Sequence, residues 1–453
     1  MVMTPWGDSA KLRERRLRPG PGVPREEVVA NQRERLFGAM VAAVAERGYR
    51  ATTVADLVEL SGVSSRTFYD LFGDLDSCFL ATLEAIIAAS IAYAVQSSGE
   101  RPPSSAPSGV RLPAAPVAAA TWEERARAGF DAFTQMVASQ PAAARLGLVE
   151  VHAAGPEARV PLEHAVAGFE WLARQMLEQS PERAGMPAEM VSAHVGAQQE
   201  IARARLRTGR EAELPRLAGE LWDVVASYRP PPRRLRLTGR PPEPAPETID
   251  AHDHAERAIR ALTAVVAEEG YAAATVDEVL RRGQMSASTF YGYFEGKDDA
   301  MSAAVDSGVA RLLAAVLPAA RRVEGWPRGI RAALGAYCNF LAARPALARL
   351  LAIEVHAAGP EAVERRDAAL APLRALIDAG REATGADPPG ITAEVIVGGI
   401  LALTERRLRS GGTEALPGLA PLAAYLALSP FLGAEDAARV ANWDGRRERR
   451  RGA

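Results

Sequence analysis

Apolar positions along the chain recur at helical spacing. Leu36, Met40, Val41 and Val44 stand at i, i+4, i+5 and i+8, one face of a helix, and strand-like alternation is nearly absent. The pattern predicts an all-α protein. Gly48 and Gly270 mark helix ends, since glycine tolerates the positive φ at which helices stop. Thr53 with Asp56, and Thr275 with Glu278, are spaced as an N-cap hydroxyl and an acidic residue three positions on, so a second helix restarts at each place. SGVS at 61–64 then supplies a glycine turn, an apolar Val63 and a capping Ser64 before SRTFYDLF opens a third helix. On that helix Phe68 and Phe72 share a face and should pack inward, leaving Ser65, Arg66, Thr67, Tyr69 and Asp70 outward. A small, polar and aromatic outward set after a tight turn suits a helix that enters the major groove of DNA. An ordinary corner between two helices would show the same spacing, so the pattern alone leaves both readings open.

The same pattern is written twice. Residues 45–85 align with 267–307 at a shift of 222, with 14 identities in 41 positions and no gap. TFYDLF at 67–72 thus returns as TFYGYF at 289–294. EVHAAGPEA at 150–158 returns unchanged at 354–362, a shift of 204, and RLRTGREAELP at 205–215 returns as RLRSGGTEALP at 407–417, a shift of 202. The fall from 222 to 204 puts 18 extra residues in the first copy, and the Pro/Ser/Gly-rich stretch at 97–116 accounts for them as a loop. A second proline-rich break at 228–248 separates the copies. The unit is about 200 residues, a duplicated protein rather than a short solenoid repeat.

Composition narrows the function classes. The chain has 453 residues, too many for one ordinary core, with 48% hydrophobic and 24% charged residues. No uninterrupted run of about 18 apolar residues stands out, so no membrane partner is expected. MVMTPWGDSAKL lacks the apolar core of a secretion signal, which makes the cytoplasm the expected compartment. Cys78 and Cys338 form no CxxC or Cys/His cluster, so neither a disulfide framework nor a metal site is expected. No GxSxG, P-loop, GxGxxG or HExxH motif is present, and the chain is expected to be neither an enzyme nor the carrier of a cofactor. A net charge of −2 does not by itself indicate a nucleic-acid binder, and residues 53–76 hold five acidic side chains against Arg66 alone. Local basic charge lies upstream of each copy: Arg15, Arg16 and Arg18 before the first, Arg233, Arg234 and Arg236 before the second. Such arms can track the DNA backbone or enter the minor groove, though a solvated linker would read the same.

AERGYRATTVADLVELSGVSSRTFYDLFGDLDSCF resembles the N-terminal DNA-binding region of the TetR family of bacterial transcriptional regulators, and AEEGYAAATVDEVLRRGQMSASTFYGYFEGKDDAM is similar but less regular. The likeness covers about 50 residues of each copy. It implies two consecutive units, each a three-helix DNA-binding domain followed by a helical ligand-binding and dimerisation domain. The implied boundaries are a disordered basic arm at 1–24, heads at 25–73 and 251–295, regulatory domains at 74–228 (with a loop at 97–118) and 296–440, a linker at 229–250 and a basic tail at 441–453. The implied DNA-facing residues are Thr53, Ser64, Ser65, Arg66, Thr67 and Tyr69 in the first head, and Thr275, Ser286, Ser288, Thr289, Tyr291 and Lys297 in the second.

Each copy departs from the family pattern in its own place. Leu75 stands where the first copy should have a lysine, while the second has Gln284 at the turn glycine and Ser288 at the arginine site. Either the heads read unlike half-sites, or one has lost DNA and serves as a partner for the other. Regulators of this family act as two-fold dimers with recognition helices about one DNA turn apart, roughly 34–36 Å. The expected partners are a non-palindromic double-stranded operator and a small-molecule effector, with the chain acting as a monomeric pseudo-dimer or as a homodimer. Glu150 and His152, repeated as Glu354 and His356, are the duplicated titratable pairs outside the heads. Followed at once by Gly-Pro, they read as a helix end, with a ligand-pocket role as the second reading. The rival to a regulator is an all-α small-molecule-binding or scaffold protein whose heads no longer read DNA.

Overall fold

A computed structural model describes residues 2–17, 22–97, 121–236 and 253–443. Arg18, most of the expected loop and inter-copy linker, and nearly all of the basic tail lie outside the described residues. The regular structure of the described residues is helical, apart from a two-stranded antiparallel pairing of β1 (Met3–Thr4) with β2 (Gly7–Asp8). It forms two compact units, residues 1–179 with 202–222, and residues 180–201 with 223–453.

In the first unit a three-helix head is built from α1 (Arg25–Arg47), α2 (Val54–Ser61) and α3 (Ser65–Phe72). Leu36, Met40, Val41 and Val44 are fully buried, as their spacing required. α4 (Leu75–Ser97), α5 (Trp122–Ser139), α6 (Pro141–Leu148) and α7 (Pro156–Glu178) continue the unit, and two further helices follow, α8 (Ala188–Arg207) and α9 (Leu214–Ser227).

Residues 2–17 correct the expectation of a disordered arm. The β1–β2 hairpin and a 3-10 turn over Ser9–Lys11 fold back onto the head, with Trp6 and Leu12 fully buried in its core. Trp6 stands 5.3 Å from the Phe37 ring, and Leu12 fills the space beside Gly38. A single tryptophan and leucine are apolar area enough to fix so short a segment.

The second unit repeats the head as α10 (His254–Glu269), α11 (Val276–Gly283) and α12 (Ala287–Tyr291). Its larger helical bundle holds α13 (Lys297–Arg321), α14 (Trp326–Ala342) and α15 (Pro345–Arg349), then a π-helical turn over Leu350–Glu354. α16 (Val355–Ala358), α17 (Pro360–Ala369), α18 (Ala371–Asp378), α19 (Gly380–Thr384), α20 (Thr392–Gly411) and α21 (Ala420–Ala441) complete it.

Three segments, 75–97, 297–321 and 413–441, are long and apolar enough to cross a membrane by length and composition, which corrects the sequence expectation. Small polar residues and an occasional charge break up their apolar runs, so no unbroken stretch advertised them. In the fold they bury part of that surface, α4 through Cys78, Phe79 and Leu83 and α13 through Met301, Val305 and Leu312.

Candidate nucleic-acid interface

Each head is held in shape by its caps. In the first, the Thr53 hydroxyl accepts the Asp56 N–H at 3.3 Å while the Asp56 carboxylate accepts the Thr53 N–H at 2.9 Å, a reciprocal pair that starts α2. Asp56 is held below the usual carboxylate pKa chiefly by its bonds from Thr53. Gly62 ends α2 at φ 63°, a left-handed conformation that a side chain would strain. The Ser64 hydroxyl then accepts the Thr67 N–H at 3.2 Å and starts α3.

Phe68 is fully buried and Phe72 half-buried against it, ring centres 5.8 Å apart. Ser64, Ser65, Arg66 and Asp70 are exposed, Tyr69 is 54% exposed, and Thr67 is half-buried. The face predicted to meet DNA is therefore turned to solvent, with Ser64 and Thr67 partly engaged in capping and Thr53 engaged with Asp56.

The second head follows the plan with a shorter reading element. Thr275 caps α11 and Ser286 caps α12, accepting the Glu278 and Thr289 N–H groups at 3.3 and 3.1 Å. Gln284, in place of the glycine, takes φ 48°, a left-handed conformation unusual for a residue with a side chain. α12 is five residues long against eight for α3. Ser288 is exposed, Thr289 is half-buried, and Tyr291 and Tyr293 are 57% and 55% exposed over the buried Phe290 and Phe294. Arg281 and Arg282 are tied to Glu278 and Glu268.

Lys297, implied as a DNA contact, is half-buried. Its ammonium donates to the Tyr271 and Ala274 carbonyls, both at 2.9 Å, and lies 4.4 Å from the Tyr271 ring centre. The basic arms are also engaged within the fold. Arg15 pairs with Glu34 at 3.4 Å, and Arg13, not singled out by the sequence, donates through Nε to the Glu59 carbonyl beside the turn. Arg16 remains exposed. Arg233 pairs with Glu435 at 2.8 Å, while the Arg236 N–H donates to Asn442 at 2.7 Å and Arg234 accepts from it at 3.1 Å, all at the end of α21.

The repeated EVHAAGPEA block joins each head to the helices that follow it. The Glu150 carboxylate accepts the Tyr49 N–H at 3.0 Å, and Glu354 accepts the Tyr271 N–H at 3.0 Å. Both carboxylates are buried, each with an arginine nearby, Arg145 at 3.5 Å and Arg349 at 3.7 Å. The tyrosine side chains reach the next helix, their hydroxyls donating to Asp76 and Asp298. Burial and the Asp76 carboxylate push the Tyr49 hydroxyl pKa well up.

His152 lies 3.5 Å from Arg203, and His356 lies 3.4 Å from Arg366. Where the sequence showed no third donor near the Glu/His pairs, the fold brings Glu200 and Glu405 beside His356, donor atoms within 4.8 Å of one another. Arg366 stands among them, 3.8 Å from Glu200 and 2.8 Å from Asp367, and supplies the positive charge that a cation would bring. Burial works against its charge, yet Asp367 and Glu200 hold its pKa above the ordinary arginine value.

Arg366 also lines a cleft in the second bundle, with Tyr337, Leu351, Ala352, Leu373 and Val397 among otherwise apolar walls. Counted out to solvent, its empty volume is about 760 Å³. Tyr337 and Thr404 share a hydroxyl hydrogen bond of 3.0 Å there.

Residues 39–82 and 258–304 each match the family described as "Bacterial regulatory proteins, tetR family". No curated protein matches the chain. Among solved structures, the fatty acid degradation regulator FadR from Bacillus halodurans is 19% identical over 40% of this chain and 97% of its own, with a TM-score of 0.36. FadR from Bacillus subtilis, solved in complex with stearoyl-CoA, is 16% identical over 42% of this chain and 96% of its own, also at 0.36. A TetR family transcription regulator from Marinobacter aquaeolei VT8 is 21% identical over 39% and 94%, at 0.33. The two matched segments overlap the two helix-turn-helix heads, so the chain carries two TetR-like heads in tandem.

Proposed function

We propose that the chain is a ligand-responsive DNA-binding repressor whose two repeats form a dimer-like pair within one polypeptide. The observation that carries this reading is a helix crossing inside the second unit. α8 of the first repeat and α20 of the second are equivalents at the 202-residue shift, so Gly196 corresponds to Gly398 and Glu200 to Ala402. A Cβ placed on Gly196 would meet Ala402 at 2.2 Å, and one placed on Gly398 would meet the Glu200 Cβ at 3.3 Å. Position i of one helix thus faces j of the other and j faces i, the signature of a two-fold contact. Two hydrogen bonds accompany it: Tyr228 donates to the Leu426 carbonyl and Tyr425 to the Arg229 carbonyl, each at 2.8 Å.

Two heads of unlike surface on such a pair favour a non-palindromic operator. Arg66 faces solvent in the first, whereas the second offers Ser288 there and adds Tyr293. The apolar cleft is the candidate effector site. Its walls include Leu351 and Ala352 in the π-helical turn that ends at Glu354, and Glu354 holds the head at Tyr271. A ligand that spreads those walls would move the turn and tilt the head, changing DNA affinity through its preference for one of two conformations.

Gel retardation of the DNA flanking the coding sequence, read across salt concentration, tests the reading. Specific binding should fall steeply with salt and weaken in Arg66→Ala. A chain that binds no sequence better than competitor DNA would favour the rival, a small-molecule-binding protein with silent heads.

A further inference from the structure

The two repeats solve one cleft differently. In the second unit, α10, α13 and the start of α15 enclose a cleft of about 610 Å³, counted out to solvent, at the joint between the head and its regulatory helices. Its walls carry Arg260 and Thr263 from α10, Ser307 and Arg311 from α13, and Arg344 beside Pro345. In the first repeat the equivalents, by the 222 and 204 shifts, are Gly38, Val41, Ala85, Ala89 and Gln140, so every arginine is gone. The corresponding place there is filled by the chain itself. Leu12 and Thr4 lie against Gly38, Trp6 lies on Phe37, and Trp6 and Leu12 belong to the same buried cluster as Ala142 and Ala143 of α6. The groove between the first helix of a head and the helix that follows the bundle turn therefore accepts an occupant, apolar in the first repeat and facing charge in the second.

Three guanidiniums line the second cleft, two of them beside Glu256. Glu256 pairs with Arg260 at 2.9 Å and lies 3.7 Å from Arg311, while Arg344 lies 4.3 Å from the Phe340 ring centre and donates to the Phe340 carbonyl at 3.5 Å. The Arg260 and Arg311 side chains are only 28% and 30% exposed, so their charges are weakly screened and face a concavity too small for a duplex. Planar guanidinium forks match the paired oxygens of carboxylate and phosphate alike, and a phosphate brings the greater negative charge to a cleft lined by three of them.

We propose that this cleft binds a small phosphate-bearing anion, which would tie α10 of the second head to α13 and Arg344 of the regulatory bundle. It is separate from the apolar cleft and does not depend on the effector reading above. The anion would act as a second input, holding that head against its body rather than pushing it through Glu354.

Calorimetric titration of the full-length chain with inorganic pyrophosphate, at fixed ionic strength, tests this. One saturable site per chain is expected, weakened roughly ten- to a hundredfold in Arg311→Gln and in Arg344→Gln. Ser307→Glu, which places a carboxylate in the cleft without removing an arginine, should abolish it, and Arg439→Gln, in an exposed ion pair with Asp436, should leave it unchanged. Absence of saturable binding would overturn the proposal. So would pyrophosphate binding that survives both Arg311→Gln and Ser307→Glu, or an Arg311→Gln variant that loses DNA affinity while keeping pyrophosphate.

Discussion

Glu354 accepts the backbone N–H of Tyr271 across 83 residues of sequence, at 3.0 Å and away from solvent. Glu354→Ala leaves that buried donor without an acceptor, which costs about 1–3 kcal/mol. Urea unfolding should show a loss of this size, and hydrogen exchange at the Tyr271 amide should accelerate. If both stay at parent values, the carboxylate does not hold the head to the bundle.

The crossing of α8 with α20 predicts a steric effect. A Cβ on Gly399 would stand 3.0 Å from the Ala193 carbonyl oxygen, a backbone atom that cannot swing aside. Gly399→Val should destabilise the chain by about 1–3 kcal/mol through overpacking. A melting temperature equal to that of the parent would mean that the helices do not approach so closely in solution.

His194 predicts a pH dependence. Burial, with its ring 4.7 Å from Tyr228, lowers its pKa from 6.5 to about 4. Between those values the unfolded chain binds a proton that the folded chain refuses, so stability is complete above pH 6.5 and falls as pH drops toward 4. The loss reaches about 3 kcal/mol at most. His194→Phe should flatten that slope relative to the parent, and an unchanged slope would point to other groups.

Trp6→Ala should destabilise the first head by about 3–5 kcal/mol, because a fully buried indole leaves a cavity beside Phe37. Trypsin sensitivity of α1 would rise with it. A freely solvated arm would show neither change.

Legibility followed the range of the interaction. Caps at Thr53, Ser64, Thr275 and Ser286, the positive φ of Gly48 and Gly270, and the inward Phe68 and Phe290 are set within four residues, so the sequence displayed them. Glu150 and Glu354 were visible as a duplicated motif, but their partners stand 101 and 83 residues upstream, beyond any local pattern. The place of Lys297 in the motif says nothing about the two carbonyls to which it donates. The hairpin of residues 2–12 was too short to carry a period, and an isolated tryptophan was its one signal. Arg260 and Arg311 stand on two helices, α10 and α13, and Arg344 on the turn before α15. Their absence from the first repeat was readable in the alignment and could have flagged them.

The central claim is that one chain does the work of a dimer. Genome-wide capture of bound DNA, followed by mass measurement of the protein on a captured site, tests it most directly. One chain is expected on a single non-palindromic site, its half-sites about one helical turn, roughly 34–36 Å, apart. Two chains on one such site would contradict it.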